Sequence, residues 1–268
     1  MPLLDVGGQQ LNVLDEGSGE PLLFLHAFPL NAAMWQYQID ALADRYRVVA
    51  IDLPGFGGSP APDPKATAKA CTMERYADVV ADVVRQLDLA PVVLVGASMG
   101  GYIAFAVVRQ HPGILRALVL ADTRSQSDDA ATWQRRTKQQ ERLRGDADLE
   151  AMAKDLTENL LGRDSLGRPE LVEYVTALMA SNDRTGWICA LEAMKKRQDS
   201  ISTLGSVGVP TLVVVGAQDR LTPQTESTLI QARVKDSRLV VVPSAGHLPN
   251  VENPIAFNEA LSEFLASL

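Results

Sequence analysis

The sequence predicts an α/β fold with a mostly parallel sheet, and three observations carry that prediction. Short runs of aliphatic and β-branched residues, Leu22-Leu23-Phe24-Leu25, Val92-Val93-Leu94-Val95, Ala117 to Ala121 and Thr211 to Val215, read as strands buried on both faces. Segments of helical periodicity lie between them, so strand and helix alternate along the chain. The strand Val92 to Val95 runs through Gly96-Ala97-Ser98-Met99-Gly100-Gly101 into the apolar segment Tyr102 to Gln110, in the order strand, tight turn, helix.

At the start, Leu3 to Val6 and Leu11 to Asp15 flank Gly7-Gly8, a hairpin pattern at a sheet edge. Gly17 to Pro21 turns the chain into the strand Leu22 to Leu25, which ends at His26-Ala27-Phe28-Pro29. A helix from about Asn31 to Arg45, a strand from Arg47 to Asp52 and a Pro- and Gly-rich loop from Leu53 to Pro64 follow. Thr72 is an N-cap for a helix whose apolar positions, Tyr76, Val79, Val80, Val83, Val84 and Leu87, recur at helical spacing. His111-Pro112-Gly113 stops the Ser98 helix. Roughly ninety residues separate the strands Ala117–Ala121 and Thr211–Val215, where a compact connection needs far fewer. Asp128 to Ser200 reads as helices broken near Gly145, Gly162 to Pro169 and Asn182 to Gly186. The prediction is a helical cap, residues 123–203, inserted into a core of residues 1–122 and 204–268. Its Met and Trp residues read first as core of the cap, and the breakers over Leu161 to Pro169 make that loop a candidate gate. A helix after Pro223, a strand from Arg238 to Val242 and a helix opened by Asn253-Pro254 complete the chain.

Composition narrows the function classes. Hydrophobic residues are 46% and charged residues 22% of the 268, an ordinary globular balance. The net charge of −8, with no long basic block, argues against nucleic acid or an anionic membrane as partner. Cys71 and Cys189 are too few and too far apart in sequence to read as a disulfide framework or metal site, so both are expected to be packing residues. No secretory signal and no bilayer-length apolar segment is visible, which predicts a soluble cytoplasmic protein.

In parallel sheets chemistry gathers at the carboxyl ends of the strands, and His26, Ser98, Asp219 and His247 occupy such ends. G-x-S-x-G between strand and helix is a nucleophile elbow, which forces Ser98 into strained backbone and leaves its hydroxyl accessible. A serine needs a base, and the chain has three histidines. His111 lies at the far end of the Ser98 helix, where capping is expected, and His26 sits in a loop whose backbone it is expected to hold. His247, in the loop Pro243 to Pro249, is the base by elimination. Its orienting carboxylate is Asp219, on its own turn after Gly216, in preference to Asp122, which ends the preceding strand. Met99 N–H and the Phe28 N–H are the expected donors to an oxyanion. Asp52 is expected to bind loop backbone, and Gly55, Gly57 and Gly58 form a turn, since Pro60, Pro62 and Pro64 follow where a dinucleotide-binding helix would start.

With these residues in hand the chain resembles the α/β-hydrolase superfamily, and most nearly its small carboxylesterase, enol-lactonase and cofactor-free haloperoxidase branch. The matching stretches are His26 to Pro29, Asp52 to Ser59, Gly96 to Gly101, Gly216 to Asp219, and Gly246 to Pro249 with Glu252 and Pro254. The resemblance implies a Ser98, Asp219, His247 triad, an oxyanion hole at Phe28 and Met99, and a helical cap. It implies a serine hydrolase acting on carboxylic esters, lactones or thioesters without a cofactor or metal. Ala27 stands where the family usually carries glycine, and its methyl is expected to tighten the acyl side of the pocket. The apolar cap positions suggest a small, uncharged ester as substrate. Carbon–carbon bond hydrolysis, perhydrolysis and ligand binding without turnover are the alternatives of the same fold.

Overall fold

The computed structural model describes residues 3–61 and 71–268, so the end of the loop predicted over Leu53 to Pro64, with Pro62 and Pro64, lies outside the described residues. Strands β1 (Leu4–Val6) and β2 (Gln9–Leu11) form the hairpin around Gly7-Gly8, but as a separate two-stranded sheet. Strand β3 (Val13–Gly17) leaves that hairpin and joins the main sheet, antiparallel to β5 (Arg47–Ile51). The other strands are parallel: β4 (Pro21–Leu25), β6 (Val92–Ala97), β7 (Leu115–Ala121), β8 (Thr211–Gly216) and β9 (Ser237–Val242). The main sheet has seven strands in the order β3-β5-β4-β6-β7-β8-β9. β6 and β8 are buried at every position, which explains why they read as unbroken apolar runs.

The segment predicted as one helix from Asn31 to Arg45 divides into a 3-10 turn, Ala32–Trp35, and α1, Gln36–Leu42. Asn31 accepts from Ala33 N, and Trp35 is buried against Phe24 and Phe257. α2 (Met73–Gln86) starts at Thr72, whose hydroxyl accepts from Arg75 N, and packs along α3 (Met99–Gln110).

Between β7 and β8 the chain forms α4 (Ala130–Arg144), α5 (Leu149–Leu160), α6 (Arg163–Leu166), α7 (Pro169–Ala180), α8 (Arg184–Lys196) and α9 (Ile201–Leu204). Asp129, Asp148 and Asp183 cap α4, α5 and α8 by accepting from Thr132, Glu150 and Thr185 N. α4 packs on α8 and α5 on α7, and Arg184 donates to the carbonyls of Leu143, Gly145 and Ala147. The helices are tied to the rest of the chain by named contacts. Asn182 accepts from Gly57 N and donates to Pro29 O, and the Tyr174 hydroxyl donates to Ala33 O. α10 (Gln224–Arg233), α11 (Pro249–Glu252) and α12 (Pro254–Leu265) follow, the last capped by Asn253.

One expectation is corrected here. Cys71 and Cys189 are not two packing thiols but a disulfide, with Cα atoms 5.0 Å apart across 118 residues of sequence. The reason the spacing misled is that the chain path brings the start of α2 beneath α8. Disulfides are rare in the cytosol, so the cross-link weighs against the cytoplasmic expectation. Among the described residues no helix is long and apolar enough to cross a membrane.

Candidate active site

The site grows from the turn between β6 and α3. Ser98 sits at φ +50°, ψ −106°, a conformation that L residues rarely adopt. Its neighbours permit it: a Cβ on Gly96 would lie 2.5 Å from the Gly100 carbonyl carbon, and one on Gly100 would lie 2.5 Å from Leu25 O. Ser98 N–H donates to Ala121 O, and Thr123 Oγ1 donates to Ser98 O, so both flanks of the turn are held by β7 and the residues after it. Met99 is the first residue of α3, where a backbone N–H has no partner within the helix and lies at its positive end.

The ends of β8 and β9 bring two more groups to Ser98. His247 Nε2 lies 2.8 Å from Ser98 Oγ, and its Nδ1 lies 2.8 Å from Asp219 Oδ2. Burial opposes the charge on Asp219. The neighbouring His247 and hydrogen bonds from His247 and Thr222 outweigh it and hold the carboxyl at about 2. Asp219 Oδ2 also accepts from Thr222 Oγ1 at 2.6 Å, and Oδ1 accepts from Leu221 and Thr222 N. The result is an ionised, orientationally fixed carboxylate behind an imidazole that faces a hydroxyl.

Asp122, the alternative acid, is not aligned with His247. Its Oδ1 accepts from Gly216 N at 2.9 Å, while Oδ2 is buried with no partner. Burial first, and then repulsion by Asp219, raise its pKa well above the usual carboxylate range. A neutral acid beside Asp219 can donate its proton to that carboxylate, which accounts for the otherwise orphaned oxygen. Asp122, Asp219 and His247 offer atoms within 4.8 Å of one another, but His247 Nδ1 is already committed to Asp219.

The remaining candidates fall away from the serine. Buried His26 donates from Nδ1 to Ala27 O and accepts at Nε2 from Leu53 N; burial lowers its pKa, so it stays neutral. Asp52 accepts from Ala32 N, Gly58 N and Asn12 Nδ2, holding loop backbone as expected. His111 is the C-cap residue of α3, its N–H donating to Val107 O, and its ring Nε2 lies 3.0 Å from Asp78 Oδ1 on α2.

Two residues outside the predicted site support it. Thr222, just before the helix that follows Pro223, turns its hydroxyl back to Asp219, and the Asp-x-x-Thr spacing is the signal in sequence for that contact. Buried Glu252 accepts from Gly162, Gly246 and Leu248 N, bracketing the His247 backbone from both sides. His247 N–H donates to Leu160 O at 2.8 Å. The segment after α5, a candidate gate in sequence, is therefore anchored to the His247 loop, with Gln218 and Asp164 adding a further pair.

Phe28, Ser98, Leu156, Leu160, Met194 and His247 line one cavity of about 240 Å³. Two expectations about it are corrected. Ala27 is fully buried, with its N–H on Met34 Sδ, and is not among the lining residues. The lining is also not uncharged: Arg124, Arg135 and Arg136 belong to it. The apolar positions of the insertion carry no sign of these arginines, which the β7–α4 connection and α4 bring to the rim of the cavity.

Comparisons with known proteins agree on the fold. A family model described as alpha/beta hydrolase fold matches residues 20–254. An AB hydrolase superfamily protein, YisY, of Bacillus subtilis is 30% identical over 264 residues, covering 95% of this chain and 94% of the relative. 3-Oxoadipate enol-lactonase 2 of Acinetobacter baylyi is 30% identical over 243 residues, covering 90% of this chain and 86% of the relative. The malate-bound structure of a thermophilic esterase from Thermogutta terrifontis superposes with a TM-score of 0.91 at 34% identity, covering 97% of this chain and 94% of that one.

Proposed function

The chain belongs to the α/β-hydrolase family, and from that premise we propose that it is a serine hydrolase that cleaves carboxylic esters through an acyl-enzyme on Ser98. The observation that carries the reading is the unbroken hydrogen-bonded line from Ser98 Oγ through His247 to Asp219, each link 2.8 Å. Relatives named enol-lactonase and esterase support the same reaction class, with lactones as a second form of acyl substrate.

In the proposed mechanism Ser98 Oγ attacks the substrate carbonyl while His247 Nε2 takes the hydroxyl proton. Asp219 accepts from His247 Nδ1 and stabilises the imidazolium as it forms. The backbone N–H groups of Phe28 and Met99 face the developing oxyanion, and the dipole of α3 adds to the second. Collapse breaks the ester C–O bond, and His247 passes its proton to the departing alcohol. Water then repeats the sequence on the acyl-enzyme and releases the acid. No step requires a cofactor. Residues 123–203 act as the cap that shapes the acyl and alcohol subsites over Ser98.

Hydrolysis of p-nitrophenyl acetate, butyrate and octanoate, set beside the Ser98→Ala protein, tests the proposal. Turnover that vanishes with the hydroxyl supports an acyl-enzyme on Ser98. Equal inactivity of both proteins on all three esters overturns it.

A further inference from the structure

The cavity over Ser98 carries charge of one sign in a protein whose net charge is −8. Three of its lining residues are arginines and none is a carboxylate. Their commitments differ. Arg136 Nε pairs with Asp128 at 2.8 Å, and the same carboxylate takes Arg197, so that acid is shared by two guanidiniums. Arg197 in turn stacks over the Tyr102 ring, 4.2 Å from its centre, on the cavity wall. Arg124 donates one bond, from Nη2 to Leu221 O, and its Nε is buried with no partner. Arg135 forms no ion pair among the described residues. Asp129, whose carboxylate feels both Arg124 and Arg135, is exposed and accepts from Thr132 N at the start of α4. Among the described residues the ion pairs of these guanidiniums draw on one carboxylate, Asp128, shared by Arg136 and Arg197, while Asp129 is spent on a helix cap.

A buried guanidinium N–H without an acceptor is costly, and a substrate that supplies one recovers that cost on binding. Guanidinium forks match a carboxylate in plane and spacing, which an ester carbonyl cannot offer. We propose that this site takes an ester bearing a second, anionic group, with a carboxylate-terminated ester as its minimal form, Arg124 and Arg135 receiving the anion while Ser98 meets the ester carbonyl. The assignment rests on the serine-hydrolase reading and adds to it the charge of the substrate. The reaction is unchanged: water cleaves the ester C–O bond and gives an alcohol and an acid, one of them carrying the extra anion.

The test uses esters matched in length with and without the terminal carboxylate. Monomethyl adipate against methyl hexanoate puts the anion on the acyl side, and 5-acetoxypentanoate against pentyl acetate puts it on the alcohol side. Turnover is followed by pH-stat titration at low salt. In the wild-type protein kcat/KM favours the anionic member of at least one pair by ten-fold or more, and added salt reduces the ratio. Arg135→Gln lowers that ratio, and Arg124→Gln with Arg135→Gln brings it near one, the loss appearing in KM. Arg135 is exposed on α4, so its variant folds even if the Arg124 substitution disturbs the Leu221 contact. A ratio near one in the wild type for both pairs, or a ratio that survives the double substitution in a folded protein, overturns the proposal and leaves the hydrolase standing. If the wild type cleaves no ester, the serine-hydrolase reading has failed instead. Calorimetric titration with adipate then decides the anion site by itself: binding lost in the double variant supports it, and no binding to the wild type overturns it.

Discussion

Replacing Ser98 by glycine and by alanine should invert the usual stability order of those two residues. Both substitutions remove the hydroxyl and its 2.8 Å contact with His247, so that loss cancels in the comparison. What remains is backbone. At φ +50°, ψ −106° a residue with a Cβ carries strain of about 1–3 kcal/mol, which glycine releases. Glycine at the same time loses about 0.5–1 kcal/mol more conformational entropy on folding than alanine does. Mid-range values leave the Ser98→Gly protein more stable than Ser98→Ala by about 1 kcal/mol, or roughly 2–3 °C in Tm for a domain of this size. In relaxed helix or strand the order is the opposite. Differential scanning calorimetry of the two variants in one buffer reads the difference directly. A Ser98→Ala protein at least as stable as Ser98→Gly would refute the claim that the turn stores strain to present its hydroxyl.

Other perturbations have signs set by the same structure. Asp219 is held at about 2, below its unfolded value near 3.9, so it contributes stability above about pH 4 that is lost as pH falls toward 2. The stability advantage of wild type over Asp219→Asn, about 2–3 kcal/mol by that shift, should shrink between pH 5 and pH 3, as melting curves will show; a constant difference would contradict it. Asp122 is raised, so the folded state holds a proton that the unfolded chain releases, and stability falls with rising pH above about 4. Asp122→Asn mimics the neutral acid; it should keep ester turnover within a few-fold and gain stability over wild type more at pH 8 than at pH 5, as melting curves at both pH values will show. Reducing the Cys71–Cys189 bond frees a 118-residue loop and should cost about 2–4 kcal/mol. A reductant should therefore lower the Tm of wild type and leave that of Cys71→Ser with Cys189→Ser unchanged.

What the sequence determined by itself was everything encoded at short range. Unbroken apolar runs mark β6 and β8 because both faces of these strands are covered, and Thr72 and Asn253 mark helix starts because a cap needs only the next three residues. The elbow was legible for the same reason: strand, Gly-x-Ser-x-Gly and helix are contiguous. Asp219 and His247 could be proposed because each lies in the loop that follows a strand, and parallel strands present such loops at one edge.

Tertiary structure decided what depends on distant segments meeting. Cys71 lies 118 residues from Cys189, and no local pattern measures that gap in space. Glu252 belongs to a matching stretch in sequence, but only the fold sets it between Gly162, Gly246 and Leu248 and so gives it a task. Arg124, Arg135 and Arg136 read as charges on a loop and a polar helix until the fold sets both segments beside Ser98, and only then do they share a cavity with it. Hydrophobic periodicity records which face of an element is covered; it carries no information on which polar side chains the covering element turns toward the site.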